Sequence, residues 1–319
     1  MRFVDLHEDF AYSAQKYDVV TSSQQSNLKE LDGFDYWIIF GSIFPHAGTI
    51  NERSEYLTKM YGSFTNSTTF STDLMLDQFN FYQFISRRYG TSIIRTKDDL
   101  AQKGKKFLLS LEGTDVLRDA YDLYLAFDLG LRNLGLTWNY DTKFAASCMS
   151  RKDYGLTGSG SEIVEIANSL GIIIDLAHSS KQTVLDVCSI TSKPVIVSHG
   201  NVKKIQDHPR NLDDAAIDAI VSTGGIIGIT AIVTTLGGDK SIAQLVKHAS
   251  YIGENFGWDH VALGTDFLGI NEVPSGFEGI SKLKDLSTLL GDHSSSTLWD
   301  NPIRVIQKNL NGNNGKQSD

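Results

Sequence analysis

Three histidines and three carboxylates stand where short apolar runs of this chain end. His7 and Asp9 close the run starting at Phe3, and Glu112 closes Phe107–Glu112. His178 closes Gly171–His178, His199 closes Pro194–His199, and Asp266 closes Val261–Asp266. His7 and Asp9 are at i and i+2, so a strand places them on one side, where they can share an ion. Glu112 has two oxygens and can bridge two ions; His178 and His199 can complete the second. Imidazole and carboxylate without a nearby thiolate favour Zn²⁺, with Mn²⁺, Co²⁺ or Fe²⁺ as alternatives. Two ions ~3.5–4 Å apart would hold a bridging hydroxide that is nucleophilic near neutral pH. Asp266 is left over as a general acid/base. A single strand-end histidine is more often structural, and H-x-D alone is a weak signal. Five ligand-type residues at the ends of four strands carry weight as a set. Unpaired, such carboxylates would cost several kcal/mol each to bury, so cations should accompany them.

Eight apolar, β-rich runs must position these groups: Phe3–His7, Tyr36–Ser42, Phe107–Glu112, Asn133–Trp138, Gly171–His178, Pro194–His199, Gly224–Thr230 and Val261–Asp266. Their near-continuous hydrophobicity is that of parallel strands covered on both faces. Helical patterns lie between them. After Thr114, a helix-capping residue, a stripe runs through Val116, Leu117, Ala120, Leu123, Tyr124 and Phe127 to Gly130. Ser161-Glu162 opens another, with Ile163, Ile166, Ala167 and Leu170 on one side and Gly171 as its stop. Most strand starts lie 23–38 residues apart, the size of one strand plus one helix. The 71-residue step from Tyr36 to Phe107 is the exception. The reading is an α/β protein, a (β/α)8 TIM-like barrel. It has an insertion at about 44–106 after the second strand, with a helix around Asp73–Arg88. A doubly wound open sheet is the alternative that periodicity does not separate. The polar residues at strand ends favour the barrel, whose sites lie at the C-terminal ends of its strands. One domain is expected over 1–310, with a flexible tail at 311–319.

The ordered motifs resemble a known family. They are DLHED at Asp5–Asp9, LEG at Glu112, LRNLGLTWN at Leu131–Asn139 and IIIDLAHSS at Ile172–Ser180. PVIVSHGN at Pro194–Asn201, HPRNLDD at His208–Asp214 and HVALGTDFLG at His260–Gly269 follow. The 21 residues from His178 to His199 and the 11 from His199 to Arg210 match as well. From Asp5 to about Leu310 the chain is similar to the membrane (renal-type) dipeptidases, binuclear zinc peptidases of the amidohydrolase superfamily. The resemblance implies two Zn²⁺ per chain. His7 and Asp9 would ligate one, His178 and His199 the other, with Glu112 as the bridge. It implies Asp266 as the acid/base that relays a proton to the leaving amine. Arg210 would anchor the substrate carboxylate, to which its planar fork is suited. A dipeptide substrate and a homodimer are the family expectations. Asp175, three residues before His178, is either a support for that ligand or an ordinary strand polar residue.

Two departures stand out. Trp138 occupies the place of a family histidine whose imidazole contacts the substrate carbonyl or oxyanion. Tryptophan offers one neutral N–H donor and no proton chemistry. Loss of an oxyanion donor costs ~2.7–4 kcal/mol of transition-state stabilisation. Asn139 next door is the candidate partial substitute, so Trp138 and Asn139 both count as candidate substrate-binding residues. Leu268 replaces the second carboxylate of the family's G-x-D-F-D-G. The intact ligand set favours retained hydrolysis by a dipeptidase. The rivals are an amidase or lactonase on a non-peptide substrate, and a metal-bound protein without turnover.

Composition bounds the rest. The 319 residues are 41% hydrophobic with a net charge of −9, an ordinary globular balance. Excess acid argues against a nucleic acid or an anionic membrane as partner. Cys148 and Cys188 cannot form a disulfide framework and read as thiols of a reducing compartment. The first residues show no secretory signal pattern, and no apolar run approaches the ~20 residues of a membrane span. A soluble, cytoplasmic protein is expected. His46, His208, His248, His260 and His293 are expected to be scaffold.

Overall fold

A computed structural model of the chain describes residues 1–15, 17–21, 25–45 and 72–312. The apolar runs form strands β1 (Arg2–Glu8), β2 (Tyr36–Ile43), β4 (Lys105–Glu112), β5 (Leu131–Gly135), β6 (Ile173–Asp175), β7 (Ile196–Gly200), β8 (Ile226–Ile229) and β9 (Val261–Leu263). A two-residue strand, β3 (Ser92–Ile93), lies beside β4 and was not anticipated. Neighbours are parallel, in the order β1-β2-β4-β5-β6-β7-β8-β9. The ends of this row meet. Glu8 and Phe267 form a parallel bridge, Asp266 N donates to His7 O (3.0 Å), and Asp9 N donates to Phe267 O (2.9 Å). An open sheet would leave β1 and β9 as separate edges; their contact makes this a nearly closed (β/α)8 barrel.

Alternation along the strands sorts the core into two clusters. Val4, Leu6, Ile38, Phe40, Leu108, Ile173, Ile196, Ile226 and Ala262 fill the barrel interior, with Trp299, Val305 and Ile306 joining them. Phe3, Trp37, Ile39, Phe107 and Leu109 point the other way and pack under the surrounding helices. This is why the strands read as continuously apolar rather than alternating.

Helices Asp122–Leu129, Gly158–Leu170, Lys181–Ile190, Asp214–Ser222 and Ile242–Ile252 lie between strands. The helix expected from Thr114 begins only at Asp122. The Thr114 hydroxyl donates instead to Leu136 O (2.7 Å), so it ties the β4 and β5 loops together rather than capping a turn. The second helix starts earlier than Ser161: Thr157 caps it by accepting from Gly160 N, and Gly171 ends it at φ 80°. Within the 44–106 region the helix runs Thr72–Tyr89. His46 and most of the expected tail lie outside the described residues. No described helix is long and apolar enough to cross a membrane.

Candidate metal centre

The C-terminal ends of the strands carry two irregularities. Between Asp5 and Glu8, β1 takes three steps while β2 takes two, from Ile39 to Gly41. Between Val197 and Gly200, β7 takes three steps while β8 takes two, from Ile227 to Ile229. These bulges fall at His7 and His199. A bulge re-aims a side chain and frees backbone N–H groups from the ladder. Buried N–H groups need partners, and two aspartates supply them. Asp5 Oδ1 accepts from His7 N (3.1 Å) and Thr265 N (2.9 Å). Asp175 Oδ1 accepts from Ala177 N (3.0 Å) and Ser198 N (2.9 Å), while its Oδ2 accepts from Asn133 Nδ2 (3.1 Å). Asp175 thus holds the backbone on either side of the site in place.

The six strand-end groups converge. Glu112 Oε2 lies 3.5 Å from His7 Nε2. Its other oxygen, Oε1, lies 3.1 Å from His178 Nε2 and 3.6 Å from His199 Nε2. His7 Nε2 also faces Asp9 Oδ2 at 3.4 Å and Asp266 Oδ1 at 3.7 Å. His178 and His199 bring their Nε2 atoms to 3.0 Å. Glu112 therefore stands between two imidazole groups, one oxygen toward each.

The tautomers follow from the surroundings. Asn139 Oδ1 accepts from His178 Nδ1 (2.9 Å), so Nε2 of that ring is left with a lone pair. Ser198 Oγ lies 2.9 Å from His199 Nδ1 and occupies the same supporting position there. Arg210 donates from Nη1 to His178 Nε2 (2.9 Å) and from Nη2 to His199 O (3.1 Å). Its Nε is buried without a hydrogen-bond partner among the described residues. Trp138 tilts against His178 with ring centroids 5.9 Å apart.

Electrostatics set these groups against one another. Burial opposes charge on His7, but Glu112 and Asp9 outweigh it and hold the imidazole well above its ordinary range. Burial would raise Glu112, yet His7 and His178 draw it well below the usual carboxylate range. Burial and Arg210 push His178 down to about 3, and burial followed by His7 pushes His199 well below its ordinary value. Burial lifts Asp266 well above the usual range; His7 opposes the rise and Asp9 and Glu112 add to it. Three acids crowd one histidine that can carry charge, while His178 and His199 are held neutral.

This donor set fits a divalent cation. Both ring nitrogens of His7 and Oδ1 of Asp9 are buried without hydrogen-bond partners among the described residues. The triples His7–Glu112–His199 and His7–Asp9–Asp266 each bring their ligand atoms within 4.8 Å of one another. Mixed imidazole and carboxylate suits Zn²⁺ and its first-row neighbours. Gly269 makes room: a Cβ there would lie 2.2 Å from Asp9 Oδ2 and 2.9 Å from Asp266 Oδ1. His178 (φ 64°) and Asp266 (φ 63°) adopt left-handed backbone, unfavourable for any residue with a Cβ.

Two groups escaped the sequence reading. Asp5 lies inside the D-x-H-x-D motif, where the spacing points to His7 and Asp9 as the ligand pair. Gln25 lies in a loop without pattern; its Oε1 accepts from Leu268 N (2.7 Å) and its Nε2 donates to Ile270 O (2.6 Å), clamping the loop after Asp266. The expected scaffold histidines behave as such where described. His208 Nδ1 accepts from Arg210 N (3.1 Å), and His260 Nδ1 donates to Gly225 O (2.7 Å). His293 stacks on Trp258.

Fold and site together define a (β/α)8 barrel protein with a buried carboxylate–imidazole cluster at its strand ends. The chain belongs to the membrane dipeptidase family, peptidase family M19, whose model matches residues 1–318. An uncharacterized dipeptidase of Schizosaccharomyces pombe is 30% identical over 209 residues, 63% of this chain and 51% of that protein. A dipeptidase of Clonostachys rogersoniana is 32% identical over 189 residues, 56% of this chain and 49% of that one. The matched segments thus span about half the length of these curated relatives. Among solved structures, a dipeptidase described as a family M19 metallopeptidase superposes with TM-score 0.82 at 20% identity, covering 97% of this chain and 99% of that one. A metallopeptidase of Rhodobacter sphaeroides, liganded with a phosphinate mimic of the dipeptide L-Ala-D-Ala, gives TM-score 0.82 at 19% identity, covering 97% and 99%.

Proposed function

We propose that this protein is a metal-dependent dipeptidase. The observation that carries the reading is the position of Glu112, one oxygen toward His7 and the other toward His178 and His199. His7, Asp9 and Glu112 would hold one cation and Glu112, His178 and His199 a second, Zn²⁺ being the metal that suits the donors best. Bound there, the metal supplies Lewis acidity to a carbonyl and lowers the pKa of water.

The chain's own groups do the rest. Asp266, beside His7 at 3.7 Å, takes a proton from the attacking water and returns it to the leaving amine nitrogen. Arg210 reaches the same centre and offers a planar fork to a free terminal carboxylate. That requirement favours dipeptides over folded proteins. Asn139 and Ser198 keep His178 and His199 oriented with Nε2 inward. Family membership supports the reaction class, and the dipeptide mimic held by the Rhodobacter sphaeroides protein supports the substrate class.

The test is direct. Purified protein supplied with Zn²⁺, then with Mn²⁺, Co²⁺ and Fe²⁺, is offered a broad dipeptide panel including D-residues at the carboxyl end. Release of free amino acids is expected; none from any pair would end this reading. A second reading, an amidase or lactonase on the same centre, is favoured by Trp138, which stands 5.9 Å from His178 in place of a histidine. Turnover of non-peptide amides or lactones with no dipeptide cleaved would select it. An Asp266→Asn variant that matches wild type in every assay would instead mark a binding protein without turnover.

A further inference from the structure

Four aromatic rings from three strand-end loops gather on one side of the candidate centre. Tyr12 follows β1, Phe44 follows β2, and Trp138 and Tyr140 follow β5. Tyr12 and Phe44 meet edge to face with centroids 5.6 Å apart and planes at 87°. Phe44 and Trp138 meet at 5.4 Å and 61°, and Trp138 and Tyr140 at 5.4 Å and 55°. Trp138 then reaches His178 at 5.9 Å. The rings form one contact chain from His178 outward. Quadrupole interactions give such a chain a defined geometry rather than a loose apolar surface.

Arg210 stands on the other side of His178, its Nη1 2.9 Å from Nε2. The strand order explains the arrangement: β5 neighbours β6 on one side and β7 neighbours it on the other. The loops after β5 and β7 carry Trp138 and Arg210, so ring and guanidinium flank His178 from opposite neighbours. On the dipeptidase reading, on which this inference rests, the substrate carboxylate lies at Arg210 and the scissile bond over Glu112 and His178. The amino-terminal residue then extends toward the rings.

We propose that Tyr12, Phe44, Trp138 and Tyr140 form the recognition wall for the amino-terminal side chain, and that they select dipeptides carrying an aromatic or large apolar residue there. Phe44 is buried, while Tyr12, Trp138 and Tyr140 keep part of their surface exposed. A phenylalanine or leucine side chain covers that surface and leaves water. A glycine covers none of it. A charged side chain loses hydration against ring faces. Apolar pockets of this kind discriminate by roughly 10-fold or more when several carbons are at stake.

The experiment uses the full chain loaded with Zn²⁺. kcat/KM is measured for Phe-Ala, Leu-Ala and Gly-Ala, and for Ala-Phe against Ala-Gly. The expected result is that Phe-Ala and Leu-Ala exceed Gly-Ala by about 10-fold or more, with a smaller spread when the carboxyl-terminal residue varies. Trp138→Ala should collapse the Phe-Ala to Gly-Ala ratio. Tyr140→Ala should lower it in part and serves if the first variant does not fold, as judged by circular dichroism. A flat profile across amino-terminal residues, with dipeptides still cleaved, overturns the wall and leaves the dipeptidase reading intact. If no dipeptide is cleaved, calorimetric binding of Phe-Ala and Gly-Ala to the zinc-loaded Asp266→Asn chain decides separately. Tighter binding of Phe-Ala upholds the wall while the dipeptidase reading falls; equal affinities overturn the wall.

Discussion

Asp5 and Thr265 join the two ends of the barrel. The carboxylate accepts from the Thr265 backbone N at 2.9 Å and from its Oγ1 at 2.7 Å, where β1 and β9 have little ladder between them. Asp5 is fully buried, so Oδ2 depends on the Thr265 hydroxyl, while Oδ1 also accepts from His7 N. Thr265→Val keeps the shape and the N–H but strands Oδ2. The expected loss is about 1–3 kcal/mol of stability, read as a lower urea midpoint with unchanged slope. An unshifted midpoint would show that closure does not depend on this pair.

Glu112 faces both imidazole groups, so its removal should affect every bound ion. Glu112→Gln keeps the volume and one acceptor oxygen but removes the charge that His7 and His178 draw on. Elemental analysis after dialysis is expected to give a far lower metal content than wild type, with dipeptide hydrolysis falling in parallel. Chelation of wild type should abolish activity, and added Zn²⁺ should restore it. A Glu112→Gln chain that retains its full metal content would remove Glu112 from the ligand set.

Gln25 holds the loop after Asp266 by a side-chain amide that behaves as a strand partner would, accepting from Leu268 N and donating to Ile270 O. Gln25→Ala leaves Asp266 chemically intact but free to shift. Misplacement of an acid/base by about 1 Å costs roughly 10- to 100-fold, so kcat should fall by that order while KM changes little. Gln25→Glu keeps the acceptor and loses the donor, and should fall between the two. Wild-type kcat in Gln25→Ala would mean that the loop holds itself.

His248 makes the stability of the scaffold depend on pH. Its neutral ring uses both nitrogens: Nδ1 accepts from Val202 N (3.0 Å) and Nε2 donates to Leu236 O (3.0 Å). Protonating Nδ1 would turn a donor against a donor. Burial holds the ring down to about 4, below its ordinary 6.5. A depressed histidine pKa contributes stability that is present above pH 6.5 and lost as pH falls toward 4. The ceiling is roughly 3 kcal/mol. His248→Gln should therefore be less stable than wild type at pH 7.5, and the gap should narrow by pH 4.5. A constant gap across that range would show that the ring does not titrate with unfolding.

The strands were legible because a barrel strand is covered on both faces, and Val4, Ile38, Leu108 and Ile196 leave an apolar trace in one dimension. His7, Glu112, His178, His199 and Asp266 were legible because each interrupts such a trace at its end. The bulges at His7 and His199 were not, since register belongs to two strands at once and neither shows it alone. Asn139 stands in the sequence as a candidate for substrate binding; its contact with His178 crosses 39 residues between neighbouring loops. The start of the helix before β5 was missed because the Thr114 hydroxyl serves Leu136, a tertiary partner that outweighs a local capping preference. Gln25 carries no pattern at all: its meaning comes from the loop it meets 243 residues later.

His178 and Asp266 hold backbone angles that glycine would adopt without strain, at roughly 1–3 kcal/mol each. The molecule keeps side chains there nonetheless. Selection for a sturdier fold and selection for a working centre therefore pull in opposite directions at these two positions. On the dipeptidase reading, a screen that rewards heat resistance alone would be drawn to glycine at 178 or 266, and would return a more durable but inert barrel.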